Sequence, residues 1–440
     1  MSKKILFLPN DLGGGLGHVR RTLRLAEVLR RDNWQLGFLA HRKNTLKYFQ
    51  NSDTIFYIPT STEEWIYRLR KVFKPVHFRP QRKLPSEPYF WEFNSLNFQI
   101  YRDGYFTPAS VWDRFRKLVK IINKWRPDVI VGDGHLLTFF LGKYCKIPVI
   151  QIVRYAVFPE NQNFIWWKKR SNYRGSPPSS LAFKSLFEKV GENFASEANE
   201  FLQGDAYLIP GTPEIEPIVT KKSHLFFGYH IESNWDSRLL DIDTKKRQRK
   251  IYITIGGGSR RSHISEYYKV LISTVKDLDA QIVFSDPHAV LHQKYNKQEY
   301  PNISVFKWID SSTIFPYLNL VIHHGGYNTV LESLWWGVPS VIIPSHTEQE
   351  GNGRRLQLLK VGKIIPISNE PYQEIIFDSY YGKSSMFGGF EFNLTPELVI
   401  STIHEMLYKA EYTKSALIQS SKLKLQFNPD KILHFFRKNS

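Results

Sequence analysis

The sequence contains almost no cysteine and no long uninterrupted apolar segment. Cys145 is the single cysteine in 440 residues, which excludes an internal disulfide and a metal cluster held by several thiolates. No stretch approaches the roughly 18 to 20 apolar residues that a transmembrane helix requires. The apolar run before Asp11 is too short for a signal peptide. The simplest expectation is therefore a soluble protein in the reducing cytoplasm.

Motifs for nucleic acids and for metal ions are also lacking. No helix-turn-helix signature, zinc-finger spacing or RNA-binding motif is present, so we expect no nucleic-acid partner. No cluster of carboxylates resembles a metal-binding motif, and we expect neither a metal nor another cofactor. The net charge of +19 is spread over many short basic groups, which is typical of a solvated surface and leaves a peripheral membrane contact open.

The pattern of strands and helices predicts an α/β protein with two similar domains. Strand and helix signals alternate, stop at a polar, charged segment without periodicity, and then begin again. Two facing domains of this kind imply a ligand cleft between them. The predicted parts are an N-terminal Rossmann-like domain (1–232), a linker (233–250), a second Rossmann-like domain (251–414) and a basic helical tail (415–440). This tail could pack back on the first domain.

Four further segments carry expectations. Residues 183–202 are predicted to form one helix, and residues 369–393 to be irregular. The aromatic and basic residues of 60–110 predict either the lining of an acceptor cleft or a helical hairpin packed on the domain. Adjacent Trp166 and Trp167 beside three basic residues are compatible with a membrane interface, a pocket cap or core packing.

A glycine-rich loop follows the first predicted strand and ends at His18. The spacing of its glycines does not fit the dinucleotide-binding fingerprint. A glycine before His18 and a helix after it would expose this histidine at the carboxyl edge of the sheet. Asp133 follows the buried strand at 129–131, so it lies at the same edge if the strands are parallel.

The segment from His323 to Asn352 predicts a second site at a strand end. An apolar strand leads into two histidines and the pair Gly325-Gly326, after which a helix begins. A glycine turn at a helix start lets backbone N–H groups approach an anion, and the helix dipole favours negative charge there. This segment therefore predicts a diphosphate-binding site.

Four segments carry a resemblance to a known family: GGGLGHVRRTLRLAEVLR, RPDVIVGDGHLLTFFLGKYCKIPVI, YITIGGGS and the block from Trp308 to Asn352. Together they resemble the GT-B nucleotide-sugar glycosyltransferases, specifically the family of plant and bacterial small-molecule glycosyltransferases. These segments occur in the family's order and at comparable spacings, in both halves of the chain. The resemblance implies a GT-B fold of two Rossmann-like domains facing each other across a cleft.

The resemblance also implies a donor site in the C-terminal domain. Trp308 would stack on the nucleotide base, and Glu332 would bind the ribose hydroxyls. The family often has a glutamine three residues after this tryptophan, where this chain has Ser311. Glu348 and Gln349 would bind the sugar hydroxyls. The remaining predicted donor-binding residues are Gly17, Gly257, Ser259, His324, Gly325, Gly326, Asn328 and Thr329.

The chemistry that the resemblance implies is an inverting, metal-independent sugar transfer. His18 would remove a proton from an acceptor hydroxyl as it attacks the anomeric carbon of a UDP- or dTDP-sugar. Asp133 behind it would fix the imidazole tautomer and stabilise the imidazolium. The expected acceptor is a small molecule.

Three other functions stay open at this point. A membrane-associated glycosyltransferase with a lipid-linked acceptor would account for the basic charge and the tryptophan pair. A nucleotide-sugar-binding protein would show no turnover at all. A sugar-nucleotide epimerase on the same fold would convert the donor without any acceptor.

Overall fold

Two parallel β-sheets and a small antiparallel sheet form the framework of the computed structural model. The strands are β1 (Lys4–Pro9), β2 (Gln35–Ala40), β3 (Thr54–Tyr57), β4 (Phe90–Glu92), β5 (Val129–Asp133), β6 (Val149–Ile152), β7 (Ala206–Pro210), β8 (Ser223–Phe227), β9 (Arg249–Thr254), β10 (Ala280–Ser285), β11 (Ile303–Phe306), β12 (Leu320–His323), β13 (Ser340–Ile342), β14 (Gly362–Ile364), β15 (Gln373–Ser379) and β16 (Gly382–Gly389). The structure describes residues 3–13, 15–59, 86–161, 164–168, 179–228, 231, 248–256, 263–291 and 299–440.

Helices connect and cover these strands. The α-helices are α1 (Gly17–Arg30), α2 (Asn97–Arg102), α3 (Pro108–Trp125), α4 (Thr138–Cys145), α5 (Lys184–Val190), α6 (Ile264–Val275), α7 (Ser311–Ile314), α8 (Tyr327–Trp336), α9 (Thr347–Leu358), α10 (Pro396–Tyr408), α11 (Ala410–Leu425) and α12 (Pro429–Lys438). Short 3₁₀ turns lie at Lys43–Tyr48, Tyr155–Val157, Ser179–Phe183, Ala198–Leu202 and Phe315–Tyr317. Within the described ranges, none of the helices combines the length and apolar character needed to span a bilayer.

The N-terminal sheet places His18 and Asp133 at one edge. Its strand order is β3-β2-β1-β5-β6-β7-β8, and every neighbouring pair is parallel. Alternate residues of β1 face opposite cores, with Phe7 on one side and Leu8 on the other, so the strand is buried on both faces. The register pairs Pro9 with Asp133, and α1 begins just after the loop that follows β1. The predicted common edge is therefore confirmed.

The C-terminal half repeats this plan. Its strand order is β11-β10-β9-β12-β13-β14, again with parallel neighbours throughout. The register pairs Thr254 with His323 and His323 with Ile342, so β12 ends at the centre of the carboxyl edge. The expectation of two α/β domains with parallel sheets is confirmed.

The prediction of an irregular segment at 369–393 is wrong, because most of it forms a β-hairpin. β15 and β16 pair antiparallel, and β4 adds to β16 through pairs such as Phe387 with Glu92. Ile375 and Phe377 are buried whereas Ile376 between them is 38% exposed, which is the alternation of a strand with one covered face. Residues 86–93, which follow the first domain's β3 in the chain, are thereby attached to the C-terminal half.

The prediction of one continuous helix over 183–202 is also wrong. Helix α5 ends at Val190 because Gly191 takes a left-handed conformation with φ of 74° and terminates it. A separate 3₁₀ turn follows at Ala198–Leu202. The predicted linker at 233–250 lies outside the described residues up to 247, and its last two residues, Arg249 and Lys250, already belong to β9.

One buried apolar cluster contains residues of both halves. Leu331 and Leu334 of α8 belong to the same buried cluster as Val19 and Leu25 of α1. Phe436 of α12 joins this cluster and meets Trp34 at a ring-centroid distance of 6.3 Å. The end of the chain thus packs against the N-terminal sheet domain.

An aromatic cluster in the N-terminal core yields a stability prediction. Phe140 is fully buried and contacts the rings of Phe183, Phe187 and Phe201. Because truncation leaves a cavity, Phe140→Ala should lower the free energy of unfolding by about 3–5 kcal/mol, measured by urea denaturation. Phe194→Ala is the matched control, since Phe194 is 37% exposed, and it should cost far less. Equal losses for both variants would contradict the packing described.

Candidate active site

A cavity of about 590 Å³ lies between the two halves of the chain. Gly17 and His18 line it from the N-terminal sheet domain, and His324, Glu348 and Gln349 line it from the C-terminal half. These are five of the residues that the sequence predicts for catalysis and donor binding. The aromatic part of its wall consists of Tyr89, Trp91, Phe93, Phe98, Tyr101 and Tyr267.

His18 and Asp133 form the predicted pair. The distance between His18 Nδ1 and Asp133 Oδ1 is 2.7 Å. Asp133 is 1% exposed whereas His18 is 27% exposed, so the carboxylate lies behind an imidazole that reaches the cavity. Since an ionised carboxylate only accepts, this bond requires the proton to be on Nδ1 and leaves Nε2 of the neutral ring as an acceptor. That is the tautomer in which the ring can take up a proton.

The backbone at Gly134 leaves room for the imidazole ring of His18. Gly134 has φ of 67°, and a Cβ atom there would lie 2.7 Å from His18 Cε1. A larger residue would therefore be strained and would also push the ring away. The carbonyl oxygen of Gly134 accepts hydrogen bonds from Asn10 Nδ2 at 3.0 Å and from Gln99 Nε2 at 2.5 Å. These bonds hold the turn at Gly134, which contacts the His18 ring.

A third residue, Arg21, holds the carboxylate from the other side. Its Nε donates to Asp133 Oδ2 at 2.7 Å, and its Nη2 donates to Oδ1 at 2.5 Å. Burial would raise the pKa of Asp133, but the charges and hydrogen bonds of Arg21 and His18 outweigh burial and lower it. Asp133 is therefore ionised in the folded protein.

The predicted diphosphate site has the expected strand, turn and helix. His323 is fully buried, and its Nδ1 accepts from the N–H of Gly325 at 3.1 Å. Burial and the neighbouring His324 lower the pKa of His323 to about 3, so this ring is neutral. Gly325 has φ of 86°, and Gly326 provides the N-cap of α8. A Cβ at Gly326 would collide with the His324 ring, which explains the second glycine.

The residues predicted to hold the nucleoside contact helix α1 in this structure. Glu332 is buried, and its carboxylate accepts from Arg24 Nη2 at 3.0 Å and from Ser311 Oγ at 2.6 Å. Trp308 is 42% exposed, and the guanidinium carbon of Arg20 lies 5.3 Å from its ring centroid. A nucleoside would have to share or replace these contacts. The serine that stands in place of the family's glutamine thus binds the predicted ribose carboxylate itself.

Asn328 and Thr329 lie in the first turn of α8. The side chain of Asn328 donates to the carbonyl oxygen of Gly17 at 3.2 Å, which joins the predicted donor site to the loop before His18. Neither residue lines the central cavity, nor do Gly325, Gly326, Trp308 and Glu332. The structure therefore divides the predicted donor site into a part on the cavity and a part against α1.

Glu348 and Gln349 both reach the cavity but have different surroundings. Glu348 forms an ion pair with Arg154, which follows β6 in the N-terminal domain. Burial would raise the pKa of Glu348, but the charges of Arg154 and His346 lower it to about 2. The Oε1 atom of Gln349 accepts from the N–H of Ser345 at 2.9 Å and from its hydroxyl at 2.7 Å.

Two predicted donor-binding residues and part of the aromatic segments lie outside the described residues. They are Gly257, Ser259 and residues 60–85. The tryptophan pair can be placed. Arg355 of α9 lies 4.2 Å from the Trp166 ring, and a Cβ on Gly351 would lie 2.9 Å from the ring of Trp167. Both rings thus pack against α9, which removes one argument for a membrane-facing pair.

Among the residues that the structure describes, no group of three or more His, Cys, Asp or Glu side chains could hold a metal ion. The charged groups at the site are instead arranged in pairs. Arg21 with Asp133 and Arg24 with Glu332 are examples. These arginines were not among the predicted site residues. Since Arg21 is three positions after His18 on a helix, the shared helix face was the available signal.

Comparisons with known proteins bear on the fold and the class of protein. Residues 251–374 match the family model described as the glycosyltransferase family 28 C-terminal domain. An uncharacterized glycosyltransferase of Methanosarcina acetivorans is 26% identical over 317 residues, covering 68% of each chain. The UDP-glycosyltransferase UGT4 of Dactylopius coccus is 27% identical over 184 residues, which are 41% of this chain and 34% of the relative.

Solved structures show the same fold over the whole length. The glycotransferase of kitacinnamycin superposes with a TM-score of 0.69 at 14% identity, covering 100% of this chain and 99% of its own. The glycosyltransferase VinC in complex with dTDP superposes with a TM-score of 0.63 at 13% identity, covering 99% and 98%. The chain therefore has the GT-B glycosyltransferase fold. Residues 251–374 match a glycosyltransferase domain, and the sequence relatives are glycosyltransferases, so the family model and the fold both indicate a glycosyltransferase.

The ion pair between Arg154 and Glu348 predicts a pH dependence of stability. Because the folded-state pKa of Glu348 is about 2, below the ordinary value of 4.5, its contribution is full above that value and disappears as the pH falls toward 2. Glu348→Gln should lower the free energy of unfolding by on the order of 2 kcal/mol near neutral pH and by clearly less near pH 3.

Urea denaturation of both proteins at the two pH values measures this difference. Glu391→Gln is the control because Glu391 is an exposed glutamate. A stability loss for Glu348→Gln that is the same at both pH values would show that the ion pair is not its cause.

Proposed function

We propose that this protein transfers a sugar from a UDP- or dTDP-sugar to a hydroxyl group of a small apolar acceptor, with inversion at the anomeric carbon. The observation that carries the proposal is that His18, which bonds Asp133 at 2.7 Å, lines a cavity that His324 and Glu348 line from the C-terminal half. A base from one domain thus faces the predicted donor residues of the other.

The reaction requires one displacement. The acceptor oxygen attacks the anomeric carbon while its proton moves to His18 Nε2, and the bond from that carbon to the diphosphate oxygen breaks. Asp133 accepts the Nδ1 hydrogen bond and stabilises the imidazolium that forms. Attack from the side opposite to the leaving group inverts the anomeric centre.

The leaving nucleoside diphosphate needs a site that stabilises negative charge. His324 and the N-terminus of α8, a helix of 10 residues, supply donors at the carboxyl edge of the second sheet. Asn328 and Thr329 lie in the same helical turn. We propose that this anion site replaces a metal, so a chelator should leave turnover unchanged. The protein VinC is solved with dTDP, and this supports testing dTDP-sugars beside UDP-sugars.

The acceptor is inferred from the cavity wall. Tyr89, Trp91, Phe93 and Phe98 present aromatic surface, and the volume of about 590 Å³ lies in the range of pockets for drug-sized ligands. An apolar molecule with a hydroxyl group fits this lining better than a free sugar does. Because Trp166 packs against α9, we favour a small-molecule acceptor over a lipid-linked one. The cytoplasmic location is proposed on the single cysteine of the sequence.

A donor and acceptor screen tests this proposal. Thermal stabilisation by UDP, dTDP and their glucose derivatives selects the donor, and mass spectrometry detects transfer to phenols, polyketides or a diacylglycerol. Transfer to the diacylglycerol alone would favour the membrane alternative. Conversion of the donor without acceptor would indicate an epimerase, and binding without any conversion would indicate a binding protein.

Substitution of the proposed base tests the mechanism. His18→Ala should lower kcat by about 100- to 10,000-fold, since a positioned general base contributes that much. His224→Ala is the matched control because His224 is an exposed histidine of the same domain, and it should leave kcat unchanged. NMR of the product from an α-linked donor should show a β-linkage. Retained configuration, or full activity of His18→Ala, would refute the mechanism.

A further inference from the structure

We propose that Arg21 is a positioning residue of the catalytic pair, which holds both oxygens of Asp133 and so fixes the orientation and charge with which Asp133 supports His18. This inference rests on the proposed function of His18 and extends the pair to three residues. Nothing in the sequence resemblance assigns a role to Arg21.

The contacts of Arg21 define its orientation. Nε donates to Oδ2 at 2.7 Å and Nη2 donates to Oδ1 at 2.5 Å, so the guanidinium grips the carboxylate edge with two parallel bonds. Such fork-to-fork pairs restrict rotation of the carboxylate more than a single bond does. Oδ1 is also the atom that binds His18 Nδ1. Rotation of Asp133 would break the bond that selects the histidine tautomer.

The Nη2 atom of Arg21 lies close to both members of the His18–Asp133 pair. It lies 3.0 Å from His18 Nδ1, but a guanidinium cannot accept a hydrogen bond. If Nδ1 carried no proton, it would accept from Arg21, and its 2.7 Å approach to the carboxylate would place two lone pairs together. Because the contact with the carboxylate is the shorter of the two, the arrangement favours a protonated Nδ1 that donates to Asp133, with Nη2 of Arg21 donating to the same carboxylate. Arg21 therefore acts on His18 through Asp133.

Arg21 also compensates the negative charge of the buried Asp133 carboxylate. Asp133 is 1% exposed and Arg21 is 4% exposed, so the carboxylate has little access to water. Without a cation, burial would raise the pKa of Asp133, and a protonated carboxyl group would no longer stabilise an imidazolium. Two charged groups of other elements also lie near the pair. Glu348 of α9 interacts with the charge of His18, and Arg154 after β6 interacts with that of Arg21.

Two substitutions separate the role of charge from that of geometry. Arg21→Gln removes a positive charge beside both groups, so the His18–Asp133 pair should take up its proton at higher pH, and the acid limb of the kcat profile should move up by about one to three pH units. Its kcat at the optimum should fall about 100-fold, the cost of a misplaced catalytic group, while KM for the donor stays within a few-fold. Arg21→Lys keeps the charge but not the fork, so its kcat should fall while the acid limb stays in place.

Arg30→Gln is the matched control on the same helix. Arg30 binds both oxygens of Asp53 at 2.9 and 2.8 Å, so this variant also breaks an arginine–aspartate pair in α1 but leaves the cavity unchanged. It should alter neither the acid limb nor kcat. If Arg21→Gln loses activity without any shift of the acid limb, the inference is wrong and Arg21 has only a structural role.

A measurement without substrate separates this inference from the proposed function. In protein labelled with ¹⁵N-histidine, the His18 signal, assigned by its loss in His18→Ala, reports which ring nitrogen carries the proton at about pH 8, where a histidine is largely neutral. The wild type should show the Nδ1–H tautomer, and Arg21→Lys a mixture. An Nε2–H tautomer in the wild type would overturn the inference even if Arg21→Gln does not fold. Full activity of His18→Ala would instead refute the proposed function of His18, while the tautomer would still show whether Arg21 and Asp133 orient the ring.

Discussion

The site depends on one buried negative charge, the carboxylate of Asp133. A carboxylate at the end of a central strand, 1% exposed, is tolerated only when its charge is compensated and its oxygens are hydrogen-bonded. Arg21 supplies the compensation, and His18 uses the remaining acceptor capacity. Strand β5 is buried on both faces. Its parallel pairing with β1 therefore brings Asp133, His18 and Arg21 to one edge of the sheet.

Helix α1 extends this constraint to the other half of the protein. Along about two turns it binds Asp133 through His18 and Arg21, and it contacts the predicted nucleoside residues through Arg20 and Arg24. Its apolar face shares a core with α8. A donor that binds Glu332 would therefore change the contacts of α1, the helix that carries His18. The shared apolar cluster thus joins the two halves beside this helix.

The sequence predicted those features that local patterns encode. The strand, loop and helix around His18 follow from hydrophobic periodicity, and parallel strands place Asp133 beside it. Features that depend on distant partners could not be predicted. The pairing of β4 with β16 joins residues almost 300 positions apart, and Glu332 meets Arg24 only after both halves have folded. The hairpin at 373–389 shows strand alternation, but its glycines and serines masked the signal.

The most direct test of the central claim is a crystal structure of the complete chain with a bound nucleoside diphosphate such as UDP or dTDP. The account predicts that the diphosphate lies at the N-terminus of α8 near His324. Glu332 should bind the ribose in place of Arg24, and His18 Nε2 should face the exposed side of the terminal phosphate. A nucleotide bound elsewhere, or a His18 ring turned away from Asp133 in the complex, would contradict it.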